Sequence, residues 1–292
     1  MTNRLLTPVL FFLLLALTPA CAEQQPEIQT NTTGATSREN SSGVTGDLYM
    51  PSLALIDFID LPAGVEVDFS KPSRFRLHTT RVKELTALIS PCHHGAPPEA
   101  DGDSVVVTID HDSCKESLPV ERHQTPSFSI DYDTPIFNEI IKDVKSKYGS
   151  SPSLSDLSEY TNRFIEKKSS ASYVSFASTI ARQKSGDCKE HAIFATALAR
   201  IFGYKSKVVL GLVLIKVEGD SWIGFGHAWP EAYDEESGNW IGFDATQVRQ
   251  SVDNGYIPLM ELTDEGPTYM TQLMQVAQHG IHKIQILGYM DN

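Results

Sequence analysis

The stretch Gly186-Asp187-Cys188-Lys189-Glu190-His191-Ala192 decides how this chain is read. Asp187 can cap a helix, and Glu190 three residues on makes a variant capping box. Beyond it Ala192, Ala195, Ala199 and Phe202 keep the spacing of one buried helix face up to Gly203, which suits the position past a helix end. Cys188 is therefore expected in the first helical turn. Unpaired N–H groups and the positive end of the helix dipole favour a thiolate there. Asp187 and Glu190 oppose the effect, and Lys189 partly offsets them.

Two later motifs complete a set. Residues 208–217 are nearly all apolar and read as a central strand, residues 223–233 as a second and 240–246 as a third. The polar run 234–239 is the turn between the last two. With the turn centred near 236, an antiparallel hairpin puts His227, in Gly226-His227-Ala228-Trp229, opposite residue 244 or 245. Asp244, in Trp240-Ile241-Gly242-Phe243-Asp244-Ala245-Thr246, is thus its expected cross-strand neighbour. Thiol, imidazole and carboxylate follow in the order that nucleophilic cysteine chemistry uses, Cys188 as nucleophile, His227 as base and Asp244 as orienter of the ring. His191 is a poorer base, because a residue three positions along the same helix is badly aimed at the thiol.

These motifs resemble the catalytic core of the transglutaminase-like superfamily, whose bacterial members carry Gly-Asp-Cys on a helix, His-Ala-Trp on a strand and Asp-Pro-Thr on the next. The resemblance implies an α+β, papain-like fold in which the helix carrying Cys188 packs on an antiparallel sheet carrying His227 and Asp244. It implies acyl transfer from an amide through a thioester on Cys188, released to water or to an amine. It also implies an oxyanion held partly by the Cys188 backbone N–H, with Gln183 as a side-chain candidate. Ala245 stands where the family has proline, and Pro230 after Trp229 suggests an edge or bulge in the strand. No cofactor or metal is assigned to this chemistry.

Composition sets the surroundings. The chain has 292 residues, 41% hydrophobic and 21% charged, enough for a sizeable core. A formal charge of −13 argues against nucleic acid as a partner, since that would call for clustered Lys and Arg. Residues 1–22 read as a signal peptide, with Arg4 ahead of an apolar run too short to span a bilayer. Leu17-Thr18-Pro19-Ala20-Cys21 resembles a lipobox, which would make Cys21 a lipidated mature N-terminus; cleavage after Ala22 is the competing reading. Either places the mature chain in the periplasm or at the cell surface, touching membrane only through a lipid anchor. Residues 23–47 are a polar tether with too little apolar surface to fold, 48–130 a small β-rich region, and 131–292 the catalytic domain.

In the β-rich region, residues 64–69, 74–78 and 105–109 alternate as strands, and helical spacing recurs over 135–148 and 154–164 ahead of the cysteine. Residues 269–278 look helical and 283–287 like a closing strand. With Cys21 set aside, Cys92 and Cys114 are the natural disulfide, worth about 3 kcal/mol in the chain-entropy model, and Cys188 is the odd thiol. A metal site at Cys92-His93-His94 with His111, Asp112 and Cys114 is the alternative, though its spacing matches no standard zinc motif. The expected substrate is a protein or peptide, with cell-wall peptide as a candidate. The other functional class consistent with the sequence is a surface-tethered peptide-binding or assembly module that keeps the fold without using the triad.

Overall fold

The computed structural model describes residues 55–56, 59–60, 67–89, 97–113, 118–168, 175–217, 221–248, 251–263, 271–272, 275–276 and 278–289. The signal and tether, and with them Cys21, Cys92, His93, His94 and Cys114, lie outside the described residues. So do the disulfide and the lipidation assigned to these cysteines. No helix among the described residues is long and apolar enough to cross a membrane. No group of three or more His, Cys, Asp or Glu among them could hold a metal.

The fold is α+β, built on two five-stranded sheets, with residues 271–272 and 275–276 helical inside the stretch 269–278 expected to be so. The strands are β1 (Leu55–Ile56), β2 (Ile59–Asp60), β3 (Ser73–Thr79), β4 (Glu99–Asp101), β5 (Ser104–Ile109), β6 (Lys167–Lys168), β7 (Ser185–Gly186), β8 (Ser206–Lys216), β9 (Trp222–Asp234), β10 (Asn239–Gly242), β11 (Tyr256–Leu262) and β12 (Ile281–Tyr289). The helices are α1 (Val82–Leu88), α2 (Ile136–Tyr148), α3 (Leu154–Phe164), α4 (Ala177–Gln183) and α5 (Cys188–Ile201). One sheet runs β1-β9-β8-β11 with β10 also on β9; the other runs β2-β12-β3-β5-β4. A short parallel pair, β6 with β7, leads into α5.

Nearly every residue of β8 is buried, because both faces of the first sheet are covered. Val208, Leu210, Leu212 and Leu214 join α5 in the main core, while Val209 and Val213 meet Trp229, Val252 and Tyr256 on the other face. Helix α5 is buried on every side up to Arg200 except at Lys189, not on the single face its alanines suggest. Arg200 is accommodated there because its guanidinium donates to Ser206 O, Thr125 O and Ser127 Oγ.

Two sequence readings need correction. Of the strand expected over 64–69, the described residues 67–69 are not strand: the Asp68 carboxylate accepts from Ser70 N and Ser70 Oγ and closes a turn. The third strand expected over 240–246 stops at Gly242. The register pairs Trp240 with Tyr233 and Gly242 with Glu231, so continued pairing would have set residue 246 opposite His227. Instead, Asp244 turns its carboxylate onto the Thr246 and Gln247 N–H groups and breaks the strand. Helices α1 and α4 have no expected counterpart; at 7 residues each they are too short to show a period.

Among the described residues, Pro230 lies where β9 pairs neither β1 nor β10. Its carbonyl faces their side of β9 and accepts from Phe243 N at 3.0 Å, so its missing N–H also faces away from β8 and costs no ladder bond. The β-rich segment takes a strand from the far end of the chain: β12 pairs antiparallel with β3 and parallel with β2.

Candidate active site

Cys188 is the first residue of α5. Asp187 caps the helix, accepting from Lys189 N at 2.9 Å, and Glu190 Oε2 accepts from Asp187 N at 2.9 Å, which completes the capping box. Gly186 is required for this turn: a Cβ there would lie 2.2 Å from the Glu190 Cβ. Glu190 is fully buried and also accepts from Ser175 N at 3.3 Å. Burial, followed by the Asp187 charge, pushes its carboxyl up to about 7. Burial would lower the Lys189 ammonium, but its ion pair with Asp187 and the charges of Cys188 and Glu190 raise it. A fixed cation thus stands beside the thiol.

His227 projects from β9 on the face that carries Phe225 and Trp229, with its ring nearly parallel to Trp229 and edge-on to Phe225. Its Nε2 lies 2.9 Å from Asp244 Oδ2, both side chains being 1% exposed. Cys188 stands near enough to the ring to favour its charged form. With Nε2 engaged by Asp244, Nδ1 is the nitrogen left to face the thiol; it is buried and makes no hydrogen bond in this structure. Burial alone would pull the imidazolium down, but the Asp244 charge, the Asp244 hydrogen bond and Cys188 outweigh it and hold His227 up at about 10. Burial likewise works against the Asp244 carboxylate, yet His227, Tyr256 and Thr246 N keep it down at about 2.

Every acceptor site of Asp244 is aimed. Oδ1 accepts from Thr246 N at 2.7 Å and Gln247 N at 3.2 Å; Oδ2 accepts from the Tyr256 hydroxyl at 2.8 Å as well as facing His227. The turn itself is pinned from α3, where Asn162 Nδ2 donates to Ala245 O at 3.0 Å and Thr246 O at 2.9 Å. Sequence reading missed both Asn162 and Tyr256. Neither sits in a motif, and they approach from 82 and 12 residues away in the chain.

The remaining candidates lie elsewhere. His191 is held as a neutral imidazole: Nδ1 donates to Asp187 O at 2.6 Å and Nε2 accepts from the Lys168 ammonium at 2.7 Å. Burial and the Lys168 charge bring it down to about 4, so it is not placed to act as base. Gln183 is the last residue of α4 and its side chain is exposed to solvent. His111 Nε2 lies 2.9 Å from Tyr256 O, and the Asp112 backbone carbonyl accepts from Asn239 Nδ2. A thiol at a helix start, an imidazole and a carboxylate that orients it can together run nucleophilic acyl transfer.

Residues 138–245 match the family model of the transglutaminase-like superfamily. No curated protein sequence matches the chain. Among solved structures, it is similar to a protein from Cytophaga hutchinsonii provisionally assigned as a cysteine protease, at 17% identity over 66% of this chain and 76% of that one, TM-score 0.39. It is similar to the periplasmic domain of TgpA from Pseudomonas aeruginosa at 16% identity over 50% and 56%, TM-score 0.29. It is also similar to red sea bream transglutaminase at 12% identity over 76% and 53%, TM-score 0.32. The chain thus spans three quarters of the first and little more than half of the other two. Likeness at this level says nothing about chemistry, which rests on the site.

Proposed function

We propose that this chain, in which residues 138–245 form a domain of the transglutaminase-like superfamily, is an exported cysteine-dependent enzyme that transfers the acyl group of an amide through a thioester on Cys188. The observation that carries the reading is the 2.9 Å contact of His227 Nε2 with Asp244 Oδ2, with the Cys188 thiol beside the same ring. In this mechanism the Cys188 sulfur, as thiolate, attacks the amide carbonyl and forms the C–S bond. The oxyanion is met by the Cys188 backbone N–H at the start of α5. The His227 imidazolium then protonates the leaving amine as the C–N bond breaks. Water or a second amine, losing its proton to the neutral His227, releases the product and regenerates the thiol pair. Asp244 keeps the ring in register throughout.

The apolar N-terminal run and Cys21 support export and a lipid anchor, which makes protein or peptide outside the cytoplasm, cell-wall peptide included, the substrate class. The test is covalent labelling with an electrophilic amide mimic, alongside turnover of peptidoglycan peptides and casein. Cys188→Ala is expected to abolish labelling while leaving the thermal midpoint within a few degrees, since alanine is tolerated in a first helical turn. Labelling that persists in Cys188→Ala would return the chain to the peptide-binding reading.

A further inference from the structure

The hydroxyl of Tyr256 reaches the oxygen of Asp244 that also faces His227. Tyr256 is fully buried at the start of β11, its ring edge-on to Trp229 with centroids 5.3 Å apart and 5.8 Å from the His227 ring. Its position is fixed through the backbone as well. Its N–H donates to Asp253 O, its carbonyl lies against His111 Nε2, and the preceding Gly255 is packed so closely on Phe69 that a Cβ would come within 2.6 Å of the ring. The hydroxyl is therefore not a loose neighbour that happens to find an acceptor.

We propose that Tyr256 is a positioning residue of the site, which shares Asp244 Oδ2 with His227 and so sets how strongly the carboxylate holds the imidazolium proton. The inference rests on reading Cys188, His227 and Asp244 as the triad. Oδ1 is saturated by two backbone N–H groups, so Asp244 stays in place whether or not the hydroxyl is present. What the hydroxyl changes is the charge left on Oδ2. A phenolic donor stabilises the ionised carboxylate and draws on the density that otherwise goes to His227. The imidazolium becomes more acidic, as a group that must protonate a leaving amine requires. The other ionisable groups facing this pair are Cys188 and His191 on α5, with Lys189 beside Cys188 and Lys168 from β6 against His191. The one hydroxyl proton of Tyr256 goes to Asp244, so removing it breaks no bond donated to any of them.

The experiment is a ¹⁵N NMR titration of His227 in the full chain carrying Cys188→Ala, which removes the thiol from the equilibrium; the signal is identified by its loss in a further His227→Gln change. Tyr256→Phe keeps the ring and its packing and removes only the hydroxyl. The His227 midpoint is expected to rise by about half a pH unit. Replacement of Tyr256 by 3-fluorotyrosine, a stronger donor of nearly the same shape, is expected to lower it. This second protein also decides the matter if the phenylalanine variant fails to fold. A midpoint unmoved in both, with only the thermal stability altered, would leave Tyr256 a packed core hydroxyl. A downward move in Tyr256→Phe would overturn the proposal too, because it would mean that Asp244 had swung away. The titration does not use turnover, so it stands or falls separately from the labelling of Cys188.

Discussion

Asp244 faces four donors with two oxygens, and that geometry decides what an isosteric change does to it. In Asp244→Asn, whichever way the amide lies, an NH₂ group meets donors that previously met an oxygen: the Thr246 and Gln247 N–H groups on one side, or Tyr256 and the His227 ring on the other. The backbone pair is the stiffer, so the NH₂ should face His227 and force its other tautomer. The variant is expected to fold and to lose at least about 100-fold in probe-labelling rate. A wild-type rate would remove Asp244 from the site. His227 and Asp244 were legible in the sequence because each sits in a short motif near one turn, and Cys188 because a capping pattern surrounds it. Gly186 was legible only as part of that motif. Its physical reason, the Glu190 side chain packed where a Cβ would stand, needs the folded turn.

Among the elements, the long ones were readable and the short ones were not. Strands β8 and β9 carry runs of 11 and 13 residues, and α2 and α3 show a clear helical period, so their positions follow from pattern alone. Strand β10 was extended too far because alternation continues past Gly242, while the local bonds of the Asp244 carboxylate win over the ladder. That turn needs support from outside, and α3 gives it. Asn162→Ala removes both hydrogen bonds to the 245 and 246 carbonyls, leaving two acceptors to find water. The expected cost is about 1–3 kcal/mol in stability, with labelling slowed by roughly tenfold because the turn that carries Asp244 loosens. Urea melts and labelling rates on the same protein check this. A loss of stability with labelling unchanged would show that α3 supports the fold but not the site.

On the scale of the whole molecule, buried ionisable groups set how stability responds to pH. His191 and His279 are brought down to about 4 by burial, so the unfolded chain, at 6.5, takes up their protons first, and stability falls as pH drops from 6.5 to 4. Glu190, raised to about 7 by burial and the Asp187 charge, acts in the opposite sense: its contribution is present below 4.5 and is lost as pH rises to 7. Burial opposes the charges of Asp244 and Glu261, but their partners hold both at about 2, so their contributions vanish only between about 4 and 2. His227, held up at about 10, acts in the same sense as Glu190, its contribution present below 6.5 and lost as pH rises, so the urea midpoint should change little between pH 7 and 5 and fall steeply below 4. Glu190→Gln should turn the first part into a fall by removing one opposing group; a first part that stays level would mean that Glu190 is ionised in the fold.

The boundary read at residue 130 meets a limit at this scale as well, because sequence pattern shows where strands are but not which distant strands pair. Strand β12 lies in the segment 131–292 read as the catalytic domain, beyond the residues 138–245 that match the family model, and it pairs with β3 and β2 from the segment before residue 130. Its Ile284 and Ile286 share one continuous core with Phe75, Leu77, Val105, Val107 and the buried face of α5. A chain cut to residues 131–292 would retain Cys188, His227, Asp244, Asn162 and Tyr256 while exposing that core. Each large apolar side chain left in water forfeits about 1.5–3 kcal/mol, and several such losses exceed the 5–15 kcal/mol that keeps an ordinary domain folded. The cut chain is expected to be insoluble or to lack a cooperative thermal transition, and to show no labelling of Cys188. A soluble, cooperatively melting and labelled product would mean that the catalytic half folds by itself and that the β12 pairing adds little.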